Sequence, residues 1–143
     1  MKYEKSCGAV VFRRDAGGWN VLLIRHARGR HISFPKGHME AGELESHTAE
    51  REVLEETGIR VKVDRRYRAE NRYNIRSDIQ KLVVIFAAVT TQEEIIPQPE
   101  EIAEANWFPV EEALKRLTYE RDRKILRAAL VHVEKYYNKK PKE

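Results

Sequence analysis

The chain has 143 residues, 41% of them hydrophobic and 35% charged, with a formal net charge of +4. That is enough for one domain with a respectable core (residues 1–143) and too little for two ordinary ones. No apolar run approaches the roughly 20 residues needed to cross a bilayer, nothing near the N-terminus resembles a secretory signal, and the single cysteine, Cys7, cannot form an internal disulfide, so the expectation is a soluble cytoplasmic protein.

Ser6 to Arg13 is small and β-branched and predicts a strand, the Gly17-Gly18 pair predicts a turn, and Trp19 to His26 predicts a second strand buried on both faces. Ala27 to His31 is a basic loop; Arg25, Arg28 and Arg30 either face phosphates or are solvated. Ile32 to His38 then forms an arm. Pro35 fixes its own φ and biases Phe34 to an extended conformation. Gly37 lets the backbone approach a metal or phosphate closely, and Lys36 and His38 flank that approach. Glu45 to Thr57 predicts a helix closed by Gly58 in the left-handed conformation. Its start is ragged, since Leu44 follows Glu43 where a Ser or Thr cap is favoured, and Ser46 is a candidate cap one turn later. Ala49, Val53 and Leu54 give this helix an apolar side for docking on a sheet.

Arg60 to Asp64 alternates as a short strand, and Arg65 to Arg76 interleaves arginine with aromatic residues. Lys81 to Thr90 is the clearest buried strand. Thr91 to Glu101, with Pro97 and Pro99, reads as an acidic loop. Glu101 to Trp107, continued by Phe108-Pro109, predicts a strand, and Val110 to Leu117 a helix. Arg121 to Tyr137 is an amphipathic helix whose stripe of Ile125, Leu126, Ala129, Leu130, Val133 and Tyr137 belongs in a core. Residues 138–143 are expected to fray.

Glu52, Glu55 and Glu56 stand at i, i+3 and i+4 and crowd one helix face, where like charges repel. The bland reading is a solvated acidic face. The chemical reading is a site for a divalent cation, because Mg²⁺ favours carboxylate oxygens and retained waters. Since the net charge is positive despite this cluster, basic surface lies elsewhere, which suits a polyanionic substrate or nucleic acid. On residues alone the fold class is α/β or α+β.

Gly37, five residues, Glu43, seven residues, then Arg51-Glu52-Val53-x-Glu55-Glu56-x-Gly58-Ile59 matches every fixed position of the Nudix box. The chain resembles a Nudix hydrolase. The resemblance implies an α/β/α sandwich with a mixed central sheet and Mg²⁺- or Mn²⁺-dependent hydrolysis of a nucleoside diphosphate linked to another group. It implies metal ligation by Glu52, Glu56, Glu55 and the Gly37 carbonyl, and a general base among Glu52, Glu55 and a Glu outside the box, Glu101 by position with Glu100 as runner-up. Arg51 and Glu43 are implied to pair and orient the acids. The arm Phe34 to His38 also resembles that of the asymmetrical diadenosine tetraphosphate hydrolases, which carry a base-stacking tyrosine beyond the box; Tyr73 sits near there. Lys36, His38, Arg72 and Arg76 are the accompanying substrate-binding candidates. The rival substrates are 8-oxo-guanine or other nucleoside triphosphates, RNA 5′-pyrophosphate ends and diphosphoinositol polyphosphates. A non-catalytic nucleotide- or RNA-binding domain is the rival class, against which the intact box argues. The expected partner is a small nucleotide, no membrane is involved, and the chain is a monomer or homodimer.

Overall fold

The computed structural model describes residues 1–138. Its frame is a seven-stranded mixed sheet in the order β3-β2-β1-β6-β5, with β4 also paired to β1 and β7 to β2. The strands are β1 (Lys2–Asp15), β2 (Gly18–His26), β3 (Ile32–Ser33), β4 (Lys36–His38), β5 (Asp64–Arg76), β6 (Ile79–Val89) and β7 (Ile102–Pro109); the helices are α1 (Glu45–Thr57), α2 (Val110–Arg116) and α3 (Glu120–Tyr137).

The spine is the parallel pair β1–β6, in register from Lys2↔Ile79 to Phe12↔Val89. Both strands are apolar on both faces, as a covered parallel pair requires. Alternation sorts their side chains into two cores. Cys7, Ala9, Val11, Val84, Phe86 and Ala88 pack with Ala49 and Val53 of α1. Val10, Phe12, Val83, Ile85 and Ala87 pack with Ala113 of α2 and Ile125, Leu126, Ala129 and Val133 of α3. The box helix and the C-terminal helix therefore cover opposite faces of the sheet, as expected. Among the described residues no helix is long and apolar enough to cross a membrane.

Helix α1 spans the predicted residues, and Gly58 closes it at φ 73°, its N–H bonded to the Leu54 carbonyl at 2.8 Å. The start differs from expectation. The helix begins at Glu45 with Leu44 as an N-cap that offers no side-chain bond, and Ser46 is buried inside the first turn rather than capping it. Glu43 ties this entry down instead, accepting from the Glu40 N–H at 2.9 Å and the Thr48 hydroxyl at 3.0 Å.

The strand expected over Arg60 to Asp64 does not form. Its backbone donors go to side chains: Arg60 N–H to Gln92 at 3.1 Å and Val63 N–H to Glu50 at 2.9 Å. With those groups bonded and Val63 buried against α1, the segment has no ladder to join. β5 begins only at Asp64 and runs antiparallel to β6. Of the tail expected to fray, Asn138 accepts a bond from Arg14 at 3.0 Å; residues 139–143 lie outside the described part.

Candidate active site

The site is built around β4, which pairs with β1 as Gly8↔Lys36, Cys7↔Gly37 and Ser6↔His38. A Cβ on Gly37 would fall on the Glu52 carboxyl group, so glycine here leaves that carboxyl its place against the strand. The backbone groups alternate as well. Ala9 N–H bonds the Pro35 carbonyl at 3.3 Å and Met39 N–H the Lys5 carbonyl at 3.1 Å, which makes Cys7↔Gly37 a hydrogen-bonded pair. The Gly37 carbonyl is thus directed at β1. Lys36 turns off β1 and donates its N–H to Glu56 Oε1 at 2.9 Å; its carbonyl lies on that same side. The neutral oxygen facing the acids belongs to Lys36 and not to Gly37.

Glu56 is 3% exposed. Burial pushes its pKa up to about 8, against the Lys36 bond and with help from the neighbouring charge of Glu52. Burial also raises Glu52, although Arg51 bonded at 2.8 Å opposes it. Among the described residues no donor reaches Glu52 Oε2 or Glu56 Oε2. Glu55 stands apart: its side chain is 50% exposed and is held by Arg51 at 3.2 Å. Arg51 further bonds Glu43 through Nε at 2.8 Å and Nη2 at 2.9 Å, and the His38 carbonyl through Nη2 at 3.0 Å. These bonds hold the Glu43 carboxyl down to about 2. Arg51 therefore pins β4, the Glu43 loop and α1 together, and Glu52 is the acid it orients.

Among the described residues no three His, Cys, Asp or Glu side chains gather tightly enough to hold a metal by themselves. Two carboxylates with undonated oxygens and one backbone carbonyl nevertheless fit Mg²⁺, which is commonly held by one or two carboxylates and keeps several waters. A buried carboxyl driven to hold a proton at neutral pH is also a group that a cation would stabilise as carboxylate.

Glu52 and Glu56 open into a cavity of about 510 Å³ whose lining includes Lys36, Gly37, His38, Asn71, Tyr73, Lys81, Glu101, Tyr119, Arg121 and Asp122. Asn71 and Tyr73 share one face of β5. The Arg121 guanidinium lies 4.2 Å from the Tyr73 ring centroid and 4.0 Å from that of Tyr119, and His31 packs on Tyr119 at 5.1 Å between ring centroids. Lys36 Nζ donates to Ser33 Oγ at 3.3 Å. Burial lowers the pKa of both Lys36 and Lys81.

Of the residues singled out in the sequence, the fold brings Lys36, Gly37, His38, Glu52, Glu56, Tyr73 and Glu101 to this cavity. His38 is only at its rim, its side chain 67% exposed and 3.8 Å from Glu4. Arg72 and Arg76 do not reach it. Arg72 points off the opposite face of β5 toward Glu70 at 3.6 Å, and Arg76 pairs with Asp78 in the following turn at 3.5 Å. Arg25 pairs with Glu104 at 3.1 Å, whereas Arg28 lines a neighbouring recess with His26, Glu100 and Glu101. The sequence reading missed Asn71, Lys81, Tyr119, Arg121 and Asp122. Asn71 was within reach, two residues from Tyr73 on the same strand face. Asp122 was too, four residues before Leu126 on the apolar stripe of α3.

Known proteins bear on this geometry. The NUDIX domain model matches residues 2–129. The putative mutator protein MutT4 of Mycobacterium tuberculosis is 32% identical over 97% of this chain and 59% of its own length. The 8-oxo-(d)GTP phosphatase of Mycolicibacterium smegmatis is 33% identical over 86% of this chain and 40% of its own. This chain thus spans about half the length of these relatives. Among solved structures, the Ap4A hydrolase of C. elegans, in a binary complex, superimposes with a TM-score of 0.85 at 25% identity, covering 93% of this chain and 99% of that one. An intact box whose Glu52 and Glu56 line a cavity of nucleotide size, and a family model matching most of the residues, lead to one conclusion: the chain belongs to the Nudix family of hydrolases.

Proposed function

We propose that this chain forms one Nudix domain that hydrolyses a phosphoanhydride bond in a dinucleoside polyphosphate, diadenosine tetraphosphate foremost, releasing ATP and AMP. The observation that carries the reading is a cavity whose lining brings the Glu52–Glu56 acids together with Lys36, Lys81 and Tyr73. The similarity to the C. elegans Ap4A hydrolase over nearly the whole of both chains supports it. The free, buried thiol of Cys7 accords with a cytoplasmic setting.

Glu52, Glu56 and the Lys36 carbonyl would hold Mg²⁺ or Mn²⁺, which supplies charge neutralisation on the phosphoryl oxygens and acidifies water. The chain does the rest. Arg51 fixes the Glu52 carboxylate, and Glu52 and Glu101, which both line the cavity, are the groups that take the proton of the attacking water. Lys36 and Lys81 bind phosphate oxygens, and Tyr73 stacks on one adenine. Holding the substrate at one end presents one phosphorus to the water, and that positioning decides the product.

Hydrolysis in ¹⁸O-water with mass analysis tests this. ATP and AMP, one of them labelled, are expected; two ADP molecules would overturn the register. A second reading, hydrolysis of an oxidised guanine nucleoside triphosphate, rests on the 33% identity to the 8-oxo-(d)GTP phosphatase. Including that triphosphate and triphosphate-ended RNA in the same assay separates the three substrates.

A further inference from the structure

The substrate cavity contains one group that binding phosphate does not explain. Asp122, in the first turn of α3, is 9% exposed and lines the cavity. It lies on the same stripe of α3 as Leu126, Ala129 and Val133, all fully buried, so the helix directs it inward. Among the described residues no hydrogen bond or ion pair reaches its carboxylate; Lys36, Arg121 and Arg123 act on it through charge alone, and each makes its bonds or ring contacts elsewhere. Lys36 Nζ bonds Ser33. Arg121 lies over Tyr73 and Tyr119. Arg123 bonds Glu120 and the Leu117 carbonyl.

A carboxylate with no protein donor, open only to the cavity, is left to be satisfied by solvent or ligand, and in a cavity for a polyanion it also repels the phosphates. Its position resolves this conflict. It lines the cavity together with Tyr73 and Tyr119, its charge acts on the Tyr73 hydroxyl, and it follows Arg121, whose guanidinium lies over both tyrosine rings; on the dinucleotide reading that is where a base would stack. A carboxylate only accepts hydrogen bonds, so it requires a base edge carrying an N–H donor. Asn71, on the same strand face as Tyr73, offers both a donor and an acceptor for the neighbouring ring nitrogen.

We propose that Asp122 is a specificity-determining residue that accepts a hydrogen bond from the exocyclic amino group of a 6-aminopurine stacked on Tyr73. The inference rests on the dinucleotide reading and deepens it: adenine is chosen by its 6-amino group. A 6-oxo purine in the same pose presents an acceptor to an acceptor and is rejected.

The test compares diadenosine with diinosine tetraphosphate in wild-type protein and in Asp122→Asn, which keeps the size of the side chain. Wild type should favour the adenine compound in kcat/KM by at least about tenfold, the usual weight of a hydrogen bond to a charged group. Asp122→Asn should bring that ratio to within about threefold, with its thermal midpoint little changed. If Asp122 serves only to hold Lys36, both substrates weaken equally and the ratio survives, which overturns the proposal. A wild-type ratio near one, or a preference for the inosine compound, overturns it as well. Should wild type hydrolyse neither dinucleotide, the dinucleotide reading fails by itself, and titration with AMP and IMP applies the same ratio criterion to Asp122 without catalysis.

Discussion

The acidic end of α1 and the arginine-rich strand β5 carry charge in opposite ways. On α1 the box brings Glu52 and Glu56 into the cavity and leaves each with an oxygen that no donor among the described residues reaches. On β5 four of the five arginines are partnered: Arg66 with Asp64, Arg68 with Glu45 and Glu70, Arg72 with Glu70, and Arg76 with Asp78. The concentration of one type of charge in a sequence is therefore a poor guide to where ligand binds. What counts is which charges the fold turns into the cavity, and here those include Glu52, Glu56, Lys36 and Lys81.

That contrast is broken or sharpened most strongly at Glu56. Glu56→Gln keeps an acceptor for the Lys36 N–H, so the protein should fold. Its kcat should fall by roughly 10²–10⁴-fold, the range for a catalytic carboxylate, and Mn²⁺ affinity measured by titration should fall with it. Near-normal turnover would leave the acidic end no more functional than β5.

The same carboxyl makes stability depend on pH when no divalent ion is present. Its folded pKa of about 8 lies above the ordinary carboxylate value, so its contribution is complete in acid and is lost as pH rises from about 4.5 through 8. Over that window the loss is on the order of a few kcal/mol. Urea unfolding in EDTA should show wild type losing stability relative to Glu56→Gln between pH 5 and 8, and excess Mg²⁺ should reverse the loss. Parallel pH profiles for the two proteins would contradict it.

A smaller effect is expected at Tyr73. Removing a base stack worth roughly 1–3 kcal/mol, Tyr73→Ala should weaken AMP and dinucleotide binding by about 5–150-fold while Mn²⁺ affinity holds. Unchanged nucleotide affinity at normal stability would make Tyr73 a packing residue of the sheet edge. Least of all should change in Arg72→Gln and Arg76→Gln. Their exposed ion pairs are worth little, and KM should stay within about twofold; a larger rise would mean that β5 reaches the substrate after all.

Much of this arrangement is legible in the chain. The double alternation of Cys7 to Phe12 and of Val83 to Ala88 announces a spine covered on both faces, and Gly58 marks the end of α1 correctly. The box announces the acids. Register and facing are what the sequence withholds. Whether Arg72 or Tyr73 turns toward the cavity depends on how β5 pairs with β6, and the register shift between Asp64 and Arg68 is a tertiary fact. The failed strand at Arg60 to Asp64 has a similar cause, because its donors were claimed by Glu50 and Gln92 from distant positions. The Lys36 carbonyl was assigned to its neighbour Gly37 because a one-residue change in a ladder reverses which edge the oxygen faces. Asp122 was hidden by its company, one acid among the charges of RDRK, until the stripe it shares with Leu126 gave it a direction.

The orientation of α1 has a consequence of its own. Glu52 and Glu56 occupy the C-terminal half of the helix, whose last turn contains no basic residue. The aligned peptide dipoles there amount to about half a negative charge, which adds to the carboxylates and repels phosphate. On the proposed function, a polyphosphate and the bare protein are thus electrostatically mismatched beside these acids, whatever Lys36 and Lys81 contribute. On that reading the helix makes counter-charge a condition for productive docking: without it, a nucleotide would bind with its phosphates pushed away from the acids.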